Sequence, residues 1–124
     1  MFDPVMSEGL LKETKNEIVC LNKLRHAHIV SIMGILWTPP ELILLFEWLE
    51  FSLYKSIHEL KHKYDGDRLH MLLLKVAKAV EFVHFNGYVH KDIKSHNVLM
   101  SESGDVKLCD FGLCHLIADR NSMS

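Results

Sequence analysis

Two short stretches, the apolar residues 98–100 and the mainly apolar residues 106–109, constrain the fold of this chain more than any other feature. They flank Ser-Glu-Ser-Gly-Asp at residues 101–105, and such a cluster of turn-forming residues between two apolar runs predicts a β-hairpin. Asn97 directly precedes the first run, and Asp110 directly follows the second. Because a hairpin brings its two ends together, we expect Asn97 and Asp110 to lie close to each other.

Four polar residues around this hairpin form a set suited to phosphoryl transfer: Asp92, Lys94, Asn97 and Asp110. Transfer to a hydroxyl needs an acid that orients the hydroxyl and accepts its proton, and hard oxygen ligands that hold Mg²⁺. Asp92 suits the first role, Asn97 and Asp110 suit the second, and Lys94 adds positive charge for the phosphate. The alternative is that they are ordinary turn residues, which leaves their joint spacing unexplained.

The same spacing resembles that of the eukaryotic protein kinases, whose catalytic loop reads H-R-D-L-x-x-x-N and whose metal-binding loop reads D-F-G. Here residues 90–97 read His-Lys-Asp-Ile-Lys-Ser-His-Asn, and residues 110–112 read Asp-Phe-Gly. The resemblance implies a serine/threonine kinase with ATP and Mg²⁺ as cofactors and a protein carrying Ser or Thr as substrate. Asp92 and Lys94 would be catalytic, and Asn97 and Asp110 would bind the metal.

The resemblance also implies an α+β, partial protein-kinase-like fold over residues 8–118. Residues 8–49 would be the remainder of the N-lobe with its regulatory helix and hinge, and residues 50–118 would begin the C-lobe. We expect an irregular N-terminus at residues 1–7 and a truncated activation segment at residues 119–124.

Two positions in the catalytic loop bear on the subgroup. Lys94 stands two residues after Asp92, as in serine/threonine kinases. The surrounding sequence is similar to that of the tyrosine-kinase-like and MAP kinase kinase kinase group. Lys91 replaces the arginine usual in the family. It keeps the charge but loses the bidentate fork, which affects any control by a phosphorylated activation segment.

An amphipathic helix is predicted upstream and is expected to end near Leu24, because apolar residues and one threonine recur there at helical spacing: Leu11, Thr14, Ile18 and Leu21. By resemblance it is the regulatory helix, and Glu17 is the catalytic glutamate that pairs with a lysine on a preceding strand. Neither a G-x-G-x-x-G loop nor a V-A-I-K-like strand precedes Glu17 in this sequence. The alternative for Glu17 is that it is a solvated acid on the helix surface. Because those two elements are missing, we expect the chain to correspond to the middle of a kinase domain.

Residues 29–37 and 42–46 are apolar and are separated by Thr-Pro-Pro-Glu, which predicts two antiparallel strands joined by a turn. By resemblance, Phe46 is the gatekeeper, Glu47 and Leu49 belong to the hinge that meets adenine, and Leu99 lies under adenine. Four further residues match the regulatory spine, with simple core packing as the alternative: Leu21, Ile32, His90 and Phe111.

A competing signal lies in a predicted short helix over residues 52–63. His58, Glu59 and His62 match H-E-x-x-H, which on a helix places two imidazoles on one face, as a zinc metallopeptidase needs. The longer form of that motif fails, because Asp65 and Arg68 occupy the required glycine and histidine positions. The zinc hypothesis also leaves residues 90–112 unexplained.

A long helix is predicted before the catalytic loop, with Asp67 as N-cap and Gly87 as stop. The helix leads directly into the catalytic loop. Its apolar stripe has helical spacing and consists of Leu69, Leu72, Leu73, Val76, Ala77, Val80 and Val83. The consecutive apolar residues 71–74 favour burial on more than one side.

Composition narrows the class of protein. The chain has 124 residues, 48% of them hydrophobic, and a formal charge of −2, which is typical of one globular unit and does not favour nucleic acid as a partner. The longest aliphatic and aromatic run, residues 42–46, is too short to span a membrane. We therefore expect a cytoplasmic protein. A kinase-like module that only binds protein partners remains the second hypothesis.

Overall fold

A computed structural model of the chain describes residues 8–117, with side chains from Thr14 onward. The described residues form an α+β fold, which confirms the predicted class, and none of their helices is both long and apolar enough to cross a bilayer. The predicted irregular N-terminus and truncated activation segment lie outside the described residues. The helices are α1 (Glu8–Lys23), α2 (Leu53–His58) and α3 (Gly66–Phe85). The strands are β1 (Ile32–Thr38), β2 (Glu41–Phe46), β3 (Phe51–Ser52), β4 (Tyr88–Val89), β5 (Val98–Met100), β6 (Val106–Leu108) and β7 (His115–Leu116).

The strands form three small antiparallel sheets: β1 with β2, β3 with β5 and β6, and β4 with β7. The first hairpin turns between Thr38 and Glu41, as predicted. Its first strand begins at Ile32 and not at the predicted Ile29. The reason is that the backbone before Ile32 bonds elsewhere, with the Val30 N–H donating to Leu108 O at 2.9 Å.

Helix α1 ends at Lys23, next to the predicted end at Leu24. One face of the helix enters the core, because Cys20, Leu21 and Leu24 are all buried. These positions follow the i, i+1, i+4 spacing of a helical face. The core continues from this face into the segments that carry the candidate site, including the fully buried Phe111.

The N-cap of helix α3 lies two residues before the predicted one. The side chain of Asp65, not Asp67, accepts the Arg68 N–H at 2.8 Å, and Asp65 has the extended backbone of an N-cap. The helix ends as predicted before Gly87, whose φ of +84° is readily adopted only by glycine.

The buried face of α3 is narrower than the predicted stripe. Leu72, Ala79 and Val83 are buried, whereas Leu69 and Leu73 are 44% and 57% exposed. A helix that packs against the rest of the molecule along one side buries only about a third of its positions. Within the described residues, 71–74 are therefore buried on one side only, and burial of their other side by the later helices of a whole kinase domain stays a prediction.

Helix α2 is shorter than predicted and does not build the H-E-x-x-H site. It ends at His58, and Glu59 caps it by donating its N–H to Lys55 O. His62 lies beyond the helix, where its Nδ1 is 2.9 Å from the buried Ser56 hydroxyl, which also bonds to Tyr64. His58 and His62 therefore do not share a helix face.

Candidate active site

The predicted hairpin over residues 98–108 is present and sets the frame of the site. Val98 pairs with Leu108 and Met100 with Val106, while Gly104 takes up a φ of +100° in the turn. The Cys109 N–H donates to Asn97 O at 2.9 Å, so the ladder continues to the last residue before Asp110. As expected, the hairpin brings the segments that carry Asn97 and Asp110 together.

Asn97 fixes the loop over residues 90–97 from within. Its Nδ2 donates to the Asp92 carbonyl at 2.8 Å and to Asp92 Oδ2 at 3.2 Å, and the residue is only 6% exposed. A single turn of 3₁₀ helix, Ser95–Asn97, carries it into position. The bonds orient the amide, so that Oδ1 is the atom that Asn97 would present to a metal ion.

His90 supports the same loop through hydrogen bonds at both of its ring nitrogens. It is buried, its Nδ1 accepts the Asp92 N–H at 3.1 Å, and its Nε2 lies 2.8 Å from Cys109 O. Because Nδ1 accepts, the neutral ring carries its proton on Nε2 and donates it to Cys109 O. Burial lowers the pKa of His90, against the opposing influences of the Cys109 carbonyl and of Asp110 and Asp92. The ring meets Phe111 edge-on, with centroids 4.7 Å apart.

Lys94 lies beside the candidate base at the surface. Its Nζ is 3.7 Å from Asp92 Oδ1, and the two side chains are 55% and 29% exposed. An ion pair this exposed contributes little stability. Its more relevant property is that a cation and a carboxylate face solvent together, where an acceptor hydroxyl and a phosphate can reach both.

Helix α1 holds the Asp-Phe-Gly segment. Glu17 Oε2 accepts the Phe111 N–H at 3.1 Å, and Asn16 Nδ2 donates to Gly112 O at 3.1 Å and to Cys114 O at 2.6 Å. Glu17 is therefore not a solvated helical acid. Sequence reasoning missed Asn16, although its place next to Glu17 on a face that meets the core was a usable signal.

Asp110 leaves the hairpin in a conformation that turns the chain sharply. It has a φ of +59°, in the left-handed region that Asp and Asn adopt more readily than most residues, and it is exposed. The Cys109 thiol beside it is half-buried, and burial raises its pKa to about 12, with smaller contributions from the charges of Asp110 and Glu17. The thiol therefore stays protonated.

A pocket of about 330 Å³ opens between α1 and the hairpin, and four predicted site residues line it: Glu17, Phe46, Leu99 and Asp110. Val30 and Cys109 complete the lining. Its volume is at the lower end for small-molecule sites. The structure thus groups the predicted catalytic glutamate, one metal ligand and two of the four adenine contacts.

The other two predicted adenine contacts, Glu47 and Leu49, are not among the residues that line this pocket. Glu47 bonds to Lys107 Nζ at 2.8 Å through Oε1, and its backbone N–H donates to Ser31 O at 3.1 Å. Leu49 is 9% exposed and packs in the core. Lys107 was not predicted as a partner of Glu47, because the contact joins residues 60 positions apart.

Comparison with known proteins agrees with this geometry. Residues 4–124 match the family model described as protein kinase domain. The chain is 36% identical over 120 residues to a probable serine/threonine-protein kinase of Dictyostelium discoideum, and covers 13% of that protein with 96% of its own length. It is 37% identical over 117 residues to the probable serine/threonine-protein kinase SIS8 of Arabidopsis thaliana, covering 11% of it with 92% of its own length.

A third relative, the probable serine/threonine-protein kinase drkC of Dictyostelium discoideum, is 34% identical over 109 residues. That match takes in 86% of this chain and 15% of the relative. The chain therefore spans a small part of the length of each of the curated relatives it matches.

Proposed function

Because the chain belongs to the protein kinase domain family, we propose that it forms the catalytic and metal-binding centre of a serine/threonine protein kinase. The reaction is transfer of the ATP γ-phosphate to a protein hydroxyl. The observation that carries the proposal is the direct bond from Asn97 Nδ2 to Asp92 Oδ2 at 3.2 Å, because it joins the candidate base to a candidate metal ligand.

Asp92 is the proposed general base. Its Oδ2 is held by Asn97, and its Oδ1 lies 3.7 Å from Lys94 Nζ at the surface, so one oxygen is positioned and the other is open to an acceptor. The side chain still reaches solvent, which an incoming acceptor hydroxyl requires. Orientation of that hydroxyl and acceptance of its proton is the task that the kinase mechanism gives to such an aspartate.

Asn97 and Asp110 are the proposed metal ligands. An amide oxygen and a carboxylate are hard oxygen donors of the kind Mg²⁺ prefers, and the ion needs only one or two protein groups because phosphate and water complete its shell. The donor set at the open end of the hairpin therefore fits the ion. When bound, Mg²⁺ neutralises charge on the phosphates.

The pocket between α1 and the hairpin is the proposed nucleotide site. Phe46, Val30 and Leu99 offer apolar surface for a planar base, and Asp110 lies at the same pocket. The 124 residues contain no glycine-rich phosphate loop and no lysine strand before Glu17. We therefore expect this chain by itself to bind Mg-ATP weakly, and calorimetric titration measures this. Low-micromolar affinity would show that the pocket and Asp110 suffice.

The function is tested by phosphoryl transfer from labelled ATP to a degenerate peptide array, catalysed by the full native polypeptide that contains these residues. Asp92→Asn should abolish transfer and leave nucleotide binding nearly intact, because Asp92 acts on the acceptor. Asp67→Asn, an exposed acid of α3, is the matched control and should leave transfer unchanged. Nucleotide binding without transfer by the unmodified polypeptide would favour the second hypothesis, a kinase-like module that only binds partners.

Lys94 is proposed to set the acceptor class. Its ammonium group lies close to the candidate base, as suits a short aliphatic hydroxyl, whereas a phenol would reach the acid from farther out. The array should therefore contain phosphoserine and phosphothreonine, and Lys94→Ala should remove most of the signal. Mainly phosphotyrosine would overturn this assignment without affecting the role of Asp92. Membership of the tyrosine-kinase-like group and a cytoplasmic location both stay predictions.

A further inference from the structure

Two cysteines that the proposed reaction does not use meet between α1 and the segment after Gly112. Cys20 is 1% exposed and Cys114 is fully buried, although the two residues are 94 positions apart in the chain. Cys20 Sγ lies 3.8 Å from the Cys114 carbonyl oxygen, which also accepts from Asn16 Nδ2 at 2.6 Å. The fold has thus brought the Cys20 sulfur next to the backbone of a second buried cysteine.

The two thiols are unequal. The neighbouring Cys114 side chain lowers the pKa of Cys20, outweighing the burial and the Glu17 charge that act in the opposite direction. The Cys20 side chain, together with burial, raises the pKa of Cys114. A thiolate is the form that reacts with peroxides. Cys20 is therefore the more reactive sulfur, and Cys114 is placed to resolve its oxidised form.

We propose that Cys20 and Cys114 are a redox modification site at which hydrogen peroxide forms a reversible disulfide between α1 and the segment after Gly112. The Cys20 thiolate attacks one peroxide oxygen, the O–O bond breaks, and the products after proton transfer are a sulfenic acid and water. Cys114 sulfur then attacks the Cys20 sulfur and displaces the hydroxyl group, which leaves as water with the Cys114 proton. Two thiols are oxidised to one disulfide, and one peroxide is reduced to two water molecules.

Peroxide reaches the pair through local opening at the end of the described chain. Cys114 directly precedes β7, which is only two residues long and pairs with the two residues of β4. Such a short ladder opens at a small fraction of the free energy of global unfolding. Once formed, the disulfide fixes α1 beside Asp-Phe-Gly, where Glu17 already bonds to the Phe111 N–H. The proposal does not depend on phosphoryl transfer.

The experiment treats the purified 124-residue chain with hydrogen peroxide in native buffer, blocks free thiols and maps the disulfides without reduction. A protease that cleaves before aspartate separates Cys109 from Cys114 at Asp110, so all three possible pairs are distinguishable. We expect the Cys20–Cys114 link to be at least about tenfold more abundant than either other pair and to disappear with dithiothreitol, because the fold preorganises only that pair.

Oxidation in denaturant is the matched control. There the pair separated by five residues, Cys109 and Cys114, should dominate, because closing the 94-residue loop is about 80-fold less probable. Cys20→Ser and Cys114→Ser should each abolish the native link. A native sample that gives the denatured pattern, or thiols that stay reduced or proceed to sulfinic acid without pairing, would overturn the proposal. Slower hydrogen exchange at residues 111–117 after oxidation would show that the link fixes this segment.

Discussion

The two principal hairpins of this molecule have the same antiparallel pairing but opposite relations to the core. Strands β5 and β6 have three residues each, and their alternate residues Val98, Met100, Val106 and Leu108 are all buried. Strands β1 and β2 are about twice as long, yet none of their residues is buried, and Met33 is 70% exposed. Strand length therefore does not decide which hairpin is anchored. The short hairpin is fixed by its neighbours, and it carries the candidate site.

The largest expected effect on the free energy of unfolding comes from truncating one leucine in each hairpin and comparing the two costs. Leu108→Ala deletes a side chain that is 1% exposed, and such core truncations cost about 2–5 kcal/mol in the free energy of unfolding. Leu45→Ala removes a leucine that is 49% exposed, and we expect a cost of about 1 kcal/mol or less. Urea unfolding followed by circular dichroism measures both. Equal costs in the two variants would break the comparison.

A smaller effect is expected where α1 holds the segment after the short hairpin. Asn16→Ala removes the donor to the Gly112 and Cys114 carbonyls, and leaving such partly buried groups unpaired costs about 1–2 kcal/mol. Hydrogen exchange should accelerate at residues 111–114 and stay unchanged in β1 and β2. The matched control is Asn22→Ala, since Asn22 is exposed on the same helix. If both variants lose equal stability, the Asn16 bonds are not what anchors the segment.

The sequence predicted the short hairpin better than its surroundings because its signals are local. All of these signals lie within the 21 residues from Asp92 to Gly112. They are the turn residues at 101–105 and the polar residues at the ends of the hairpin. The contacts that were missed join distant parts of the chain, as between Asn16 and Cys114 or Glu47 and Lys107. Turn and periodicity rules contain no term for such pairs.

Errors at element ends have a similar origin. Asp65 and Asp67 are both acceptable N-caps by composition, and only the extended backbone at Asp65 decides between them. The predicted apolar stripe of α3 includes exposed residues, because apolar residues at helical spacing do not reveal which side of the helix meets the core. Leu69 and Leu73 satisfy the period and are nonetheless exposed.

The ion pair between Glu47 and Lys107 links the end of the long hairpin to the short one and should have a modest effect. Its atoms are 2.8 Å apart, and the side chains are 26% and 19% exposed. Solvent screening limits such a pair to about 1 kcal/mol, so Lys107→Met should cost no more than this. The cost should shrink as salt is added, because added ions screen the charges. Lys55→Met, on the exposed side of α2, is the control. A cost that does not respond to salt would indicate lost packing instead of lost charge.

The smallest expected effect is a pH dependence that arises beneath the short hairpin. Burial lowers the pKa of His90 below 6.5, so as pH falls through 6.5 the unfolded chain takes up a proton that the folded chain still excludes. The contribution of His90 to the free energy of unfolding is therefore fully present above pH 6.5. It declines as the pH falls from 6.5 to the lower pKa that His90 has in the folded chain. Burial, with the charges of His28 and Lys78, lowers the pKa of His26 as well and acts in the same direction. His90→Phe keeps a ring beside Phe111 but removes the titration, so the variant should be less stable at all pH values and its unfolding free energy should depend less steeply on pH. An unchanged slope would place the pH dependence at His26, outside the short hairpin, and would remove His90 as the titrating group of the candidate site.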